Sequence, residues 1–287
     1  KIKSIYLHQS MMKKIVSKGS VLDYCPKNIY EVDLMGNYQR DPTMSMSLGI
    51  YFESGVLNNG KIRQPYHLPK GRNGAKSVLV ERVEEQIFNA VHNVLPETGI
   101  IVIPPDHEKS NVWRRFTSKY ENPLIRKQFN IDVYIELETD LISPFHYNDG
   151  RGSIIDLSMA IIDIKLAKDR FELRGDFCWG RAEDMDHLQA YTYSFVLELP
   201  FLYLIFDYKA KDRGWRPILV NTDVNNPNMK LANEAKLRKD ELRQTIHTVV
   251  SELTHQYKLG WPTNNLQDNC RYCPIMNCQQ RNKIAII

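Results

Sequence analysis

An α/β fold, a mixed central β-sheet flanked by helices, is predicted by three changes of pattern along the chain. Apolar residues first recur at helical spacing, switch to strand-like alternation from Phe129 onward, and return to helical spacing over 186–199 and 229–257. The order helices, strand, strand, helix, strand, strand, helix favours a mixed sheet over a sandwich or a bundle. At 287 residues with 43% hydrophobic content, the chain suits one large domain, or a core with helical additions, and has ample material to bury.

Taken in order, Ser20 could cap a helix through Val21–Tyr30, with Pro26 restricting where its first turn starts. A short helix is expected over Met46–Glu53, and an amphipathic one between Ser77 and Leu95, where Val80, Val83, Ile87, Val91 and Val94 share a face. Residues 58–76 and 104–109, rich in Gly, Pro and Asn, read as loops. Ile131, Val133, Ile135, Leu137 and Leu141 then alternate as a strand ending near Pro144, with a turn at Asn148-Asp149-Gly150 and a second strand over Ile154–Ala167. Leu188, Tyr191, Phe195 and Leu199 mark a helix, Phe201–Tyr208 and Trp215–Val220 a strand pair around a basic loop, and Met229–Tyr257 a long closing helix. The expected organisation is a mainly helical part over 1–128 carrying Cys25 and Glu53, a core over 129–260 and a Cys-rich tail over 261–287, integrated in one domain.

A net charge of +4 is consistent with a polyanionic partner but far from that of a nucleic-acid condenser. No apolar run is long enough to span a bilayer, and the segment Lys1–Tyr6 lacks the apolar core of a signal peptide, so no membrane association and a cytoplasmic location are expected. Five cysteines are too few for a disulfide framework. Three of them, Cys270, Cys273 and Cys278, have soft-metal spacing, and a fourth thiolate must come from elsewhere, with Cys25 the candidate. The set suits a tetrahedral or cubane metal site, and free buried cysteines or a redox dithiol are the other readings. Cys178 reads as a core or loop cysteine.

The chemistry concentrates at Ile161-Ile162-Asp163-Ile164-Lys165-Leu166. Positions i and i+2 of a strand point to one face, so Asp163 and Lys165 share a site. A solvated strand face often carries such a pair, but charges in an otherwise apolar strand are costly without a partner or a purpose. Asp140 upstream can supply a second carboxylate. Asp156 competes for that role but, seven residues before Asp163, falls on the opposite strand face. Carboxylates of this kind hold Mg²⁺ or Mn²⁺, and lysine adds a compact positive charge for a phosphoryl transition state.

These motifs resemble the PD-(D/E)XK nuclease superfamily, specifically RecB-like exonucleases that include the iron–sulfur nucleases of CRISPR adaptation and phage relatives. Glu-Thr-Asp140 looks like the family's first acid, Ile-Ile-Asp163-Ile-Lys165 like its (D/E)-X-K strand, and Gly49-Ile-Tyr-Phe-Glu53 like an upstream metal-ligand helix. Many members carry a histidine in that upstream region, where this chain has none. Gln189-Ala-Tyr-Thr-Tyr193 matches the QxxxY element, whose two side chains share a helix face. The resemblance implies a restriction-endonuclease-like core, metal binding by Glu53, Asp140 and Asp163, catalysis with Lys165, Gln189 and Tyr193, and a 4Fe-4S cluster on Cys25, Cys270, Cys273 and Cys278 with zinc as the alternative. The implied partner is DNA, as single strands or duplex ends, in recombination, repair or CRISPR adaptation in a prokaryotic or phage-infected cell.

Lys209, Lys211, Arg213, Trp215 and Arg216 interleave cations with aromatics, as a loop tracking phosphates and stacking on bases would, or as an ordinary solvated hairpin with Trp215 packed at the strand edge. Arg114, Arg115 and Lys119 form a second basic group. Two readings from other classes stand beside the nuclease: a DNA-binding subunit that keeps the fold without turnover, and a zinc-stabilised interaction protein.

Overall fold

The computed structural model describes residues 3–16, 25–37, 42–61, 68–71, 75–169, 171, 178–209, 214–262, 273–275 and 278. Along the chain run β1 (Ser4–His8), α1 (Gln9–Val16), α2 (Pro26–Asn28, continued by a π-helical turn Ile29–Leu34), α3 (Met44–Leu57), α4 (Val78–Asn89) and α5 (Leu95–Glu97). There follow β2 (Val112–Lys119), α6 (Pro123–Phe129), β3 (Asp132–Asn148), β4 (Ile154–Ala167), α7 (His187–Leu197), β5 (Phe201–Asp207), β6 (Trp215–Val220) and α8 (Met229–Leu259). The fold is α/β with a mixed sheet and flanking helices, as expected.

Several elements differ from the sequence reading. The part expected to be mainly helical also holds β1 and β2, the first short and the second broken by charges, so that neither shows a clean alternation. The first expected helix starts later. Cys25 is extended, Pro26 occupies the first turn where its fixed φ suits the helix, and residues 17–24 lie outside the described residues. Pro144 does not end β3; the strand passes through it with a register shift between Ser143 and Phe145, because a bulge tolerates the missing N–H.

The chain divides into two compact units. One comprises Lys1–Asp41, Phe116–Leu137 and Leu237–Ile287. In it β1 pairs in parallel with the first part of β3, from Ser4↔Asp132 to His8↔Glu136. Helix α1 buries Met11, Met12 and Ile15, and α8 buries Leu242, Ile246, Val249, Val250 and Leu253.

The other unit comprises Pro42–Arg115 and Glu138–Lys236. The second part of β3 runs antiparallel to β4, β4 runs parallel to β5, and β5 runs antiparallel to β6. Every residue of β5 is buried, as a central strand requires. Thr43 caps α3 by accepting from the Met46 N–H at 3.3 Å, and Ser77 caps α4 by accepting from Val80 at the same distance. The two helices meet closely at Gly55, where a Cβ would lie 2.6 Å from Ile87 Cδ1. Leu48, Phe52, Val56, Val83, Ile87, Leu141, Ile162, Leu204 and Phe206 belong to one apolar core, each such side chain contributing about 1.5–3 kcal/mol on burial. This core fixes α3 and β4, which carry Glu53, Asp163 and Lys165.

Candidate active site

The larger unit brings Glu53, Asp140, Asp163, Lys165, Gln189 and Tyr193 into one cluster. β4 supplies its centre. Asp163 is buried at 3% exposure on a stretch where Ala160 to Ile164 are all buried, and its Oδ2 lies 2.6 Å from the Lys165 ammonium. The β3–β4 ladder reaches Leu141↔Ile162, and beyond it the Ile164 N–H donates to Asp140 Oδ2, at 2.8 Å. Asp140 is thereby held across from Asp163. Asp156, its rival, is exposed and lies near His146, at 3.6 Å.

Helix α7 closes the cluster. Asp186 caps it by accepting from the Gln189 N–H at 3.1 Å, and the Gln189 amide donates to Asp163 Oδ1 at 2.7 Å. One turn on, the Tyr193 hydroxyl donates to the Glu138 carbonyl at 3.0 Å, two residues before Asp140. Both members of the Gln–Tyr pair therefore reach the carboxylate strands, as their shared helix face predicts.

Glu53 enters from α3, and its Oε1 accepts from the Trp113 indole N–H at 2.6 Å. The sequence reading missed Trp113. It sits on β2 with φ of +46°, a left-handed conformation that bulky residues rarely adopt, and no local pattern signals a partner 60 positions away. Two further supports were missed. Tyr203, opposite Asp163 on β5, donates to the Asp186 carbonyl at 2.9 Å and to Gln189 Oε1 at 3.4 Å. Arg115 pairs with Glu138.

The electrostatics follow from three carboxylates and one ammonium in little water. Burial pushes the Asp140 carboxyl well above the usual range, and the charges of Asp163 and Glu53 push it further. Glu53 is raised too, mainly by burial, against the lowering effects of the Trp113 hydrogen bond and the Lys165 charge. Burial alone would lower the Lys165 pKa, but Asp163, Asp140 and Glu53 together outweigh it, and the net shift is upward. Lys165 is therefore a fixed cation at neutral pH. Burial, with the nearby charges of Asp163 and Asp140, pushes the Tyr193 phenol up to about 12.

Among the described residues no three His, Cys, Asp or Glu side chains stand ready to enclose an ion. Glu53, Asp140 and Asp163 nonetheless offer hard carboxyl oxygens, the donor type that divalent cations such as Mg²⁺ take. A cleft of about 350 Å³ opens beside Glu53 and Lys165, between α3, the end of β4, Trp179 and Tyr208.

In the smaller unit, Cys25 precedes α2, and Asn28 on that helix donates to Cys273 Sγ at 3.4 Å. Cys278 is buried, and the Lys27 N–H reaches the Pro262 carbonyl at 3.3 Å. The α2 helix and the C-terminal region thus meet, while Cys270 lies outside the described residues. Cys178 is buried in the larger unit. Of the basic loop, Lys211 and Arg213 also lie outside the described residues, and Lys209 is exposed. Trp215 packs edge-on against Tyr147 at 5.2 Å, and Arg216 donates to the Gly180 carbonyl at 2.5 Å. Arg114 and Lys119 lie on β2 with Arg115, and Lys119 pairs with Asp132 at 3.0 Å. Among the described residues no helix is long and apolar enough to cross a membrane.

No protein-family model matches this chain, and no curated protein does. A solved structure does match, the crystal structure from Eubacterium rectale described as a "Putative exonuclease". The alignment covers 95% of this chain and 90% of that one, with a TM-score of 0.50 and 14% sequence identity. At that identity the likeness concerns the fold: the α/β architecture that positions the cluster is shared with this Eubacterium rectale protein.

Proposed function

We propose that the protein is a Mg²⁺- or Mn²⁺-dependent deoxyribonuclease of the RecB-like PD-(D/E)XK type, acting as an exonuclease on DNA ends. The observation that carries this reading is the buried cluster itself, in which Asp140 and Asp163 lie on adjacent strands and Lys165 projects beside them at the mouth of a cleft. Asp140 and Asp163 would hold the cation with help from Glu53. When bound, a divalent ion supplies charge stabilisation on the phosphoryl oxygens and an acidified water. Lys165, cationic throughout, would orient the attacking water and neutralise negative charge developing on the phosphate. Gln189 keeps Asp163 in its rotamer, and Tyr193 braces β3 beside Asp140. Exposed Lys209, with Lys211 and Arg213 of the same loop, would follow the phosphate backbone.

Cys25, Cys270, Cys273 and Cys278 would hold a 4Fe-4S cluster that ties α2 to the C-terminal tail in a structural role. The Asn28 contact to Cys273 supports that arrangement. The cellular setting that fits is recombination, repair or CRISPR adaptation in a prokaryotic or phage-infected cell.

End-labelled linear DNA and closed circular DNA, each incubated with Mg²⁺ or Mn²⁺ under anaerobic conditions, test the reading. Degradation of linear DNA from its ends with circles left intact is expected. Cleavage of circles would make it an endonuclease, and inertness on both would leave a DNA-binding protein.

A further inference from the structure

We infer that the cleft beside Glu53 and Lys165 is a nucleoside subsite, receiving one unpaired nucleotide of a DNA strand against the backbone of α3 at Gly49. This deepens the nuclease reading and rests on it. Glycine is unfavourable inside a helix, so each helical glycine needs a reason. At Gly55 the reason is internal, because a Cβ would collide with Ile87. At Gly49 nothing among the described residues lies within 4 Å of the Cβ position. Yet Gly49 lines the cleft, four residues before Glu53 and so on the same helix face. The missing side chain leaves room for something outside the chain to approach the helix.

The cleft walls define that occupant. Met46 and Ile50, 56% and 39% exposed, offer apolar surface, and Trp179 and Tyr208 offer aromatic rings. Lys168 stands at the end of β4, where the Tyr208 N–H bonds to the Ala167 carbonyl at 3.2 Å and the Lys209 N–H to the Lys168 carbonyl at 2.9 Å. A base and its sugar suit apolar and aromatic walls, and the adjoining phosphates suit Lys165 and Lys168. A simple anion would face Glu53, and a purely apolar ligand would face the charged side chains of Glu53 and Lys165. A volume of about 350 Å³ matches one nucleotide, at the low end of the roughly 300–1,000 Å³ of small-molecule pockets and too small for a base pair in its duplex.

The test uses the full-length protein and a single-stranded oligonucleotide carrying 2-aminopurine at its terminus, titrated in Ca²⁺, which takes oxygen ligands in place of Mg²⁺. The terminal base should change its fluorescence on binding, and a blunt duplex with the same label should respond at least tenfold more weakly. Gly49→Leu should weaken the response at least tenfold without lowering the thermal midpoint. Met46→Trp, at an exposed position one turn earlier on α3, should fill the cleft with the same effect. Unchanged binding in either variant, or equal response of the blunt duplex, overturns the subsite. Terminal-base binding without metal-dependent cleavage would remove the nuclease reading and uphold the subsite. Cleavage with no response of the terminal base would do the reverse.

Discussion

Replacing Asp140 by Asn should stabilise the metal-free protein while abolishing catalysis. The Asp140 carboxyl is raised by burial and by the charges of Asp163 and Glu53, so the fold disfavours its ionised form. Each pH unit of such displacement corresponds to about 1.4 kcal/mol. The amide removes that penalty but also gives up attraction to Lys165 and turns the charge-assisted hydrogen bond from Ile164 into a neutral one, a loss of about 1 kcal/mol. Those favourable contacts are already part of the net upward displacement, so the thermal midpoint of the variant in EDTA should rise. The sign with pH is fixed by linkage. Because the folded-state pKa is raised, the penalty is absent below the unfolded value of about 4, grows as pH rises from there through the raised value, and is constant above it. Melting of both proteins in EDTA between about pH 4 and 8 should therefore show curves that coincide in acid and separate towards neutrality. An Asn variant less stable than wild type at pH 7, or a gain of equal size at pH 4, would refute this account of the cluster.

Other perturbations act on single links of the same network. Gln189→Leu removes the donor to Asp163 Oδ1 and should reduce turnover by about 10–100-fold with little change in KM, read by steady-state cleavage. Trp113→Phe keeps most of the packing but frees Glu53 Oε1; it should raise the metal concentration for half-maximal activity by roughly tenfold, and an unchanged requirement would make the indole merely structural. Cys273→Ser should bleach a brown, iron-containing preparation and lower its thermal midpoint, whereas a colourless wild type holding stoichiometric zinc would reassign the site.

The parts of the site legible in the sequence are those whose logic is local. Asp163 and Lys165 stand out because strand periodicity points them the same way from an apolar background. Gln189, Tyr193 and Asp140 were singled out by the family resemblance, helix periodicity adding only that the first two share a face. Trp113 was invisible because its role depends on a left-handed backbone turn and a contact with α3, neither of which leaves a periodic trace. Tyr203 became meaningful only once parallel pairing set it opposite Asp163. The same reasoning separates Gly49 from Gly55: identical residues in one helix, of which packing explains only the second. The contacts of Trp215 with Tyr147 and of Arg216 with the Gly180 carbonyl join positions remote in sequence, so no local pattern announced them.

Single-turnover hydrolysis of end-labelled DNA in Mg²⁺ by wild type and Lys165→Ala, at matched protein and DNA concentrations, bears most directly on the central claim. Wild type should release product and lose that activity in EDTA, and the variant should be slower by at least 100-fold while still binding DNA. Equal rates for the two proteins would contradict the assignment of Asp163 and Lys165 as the catalytic centre.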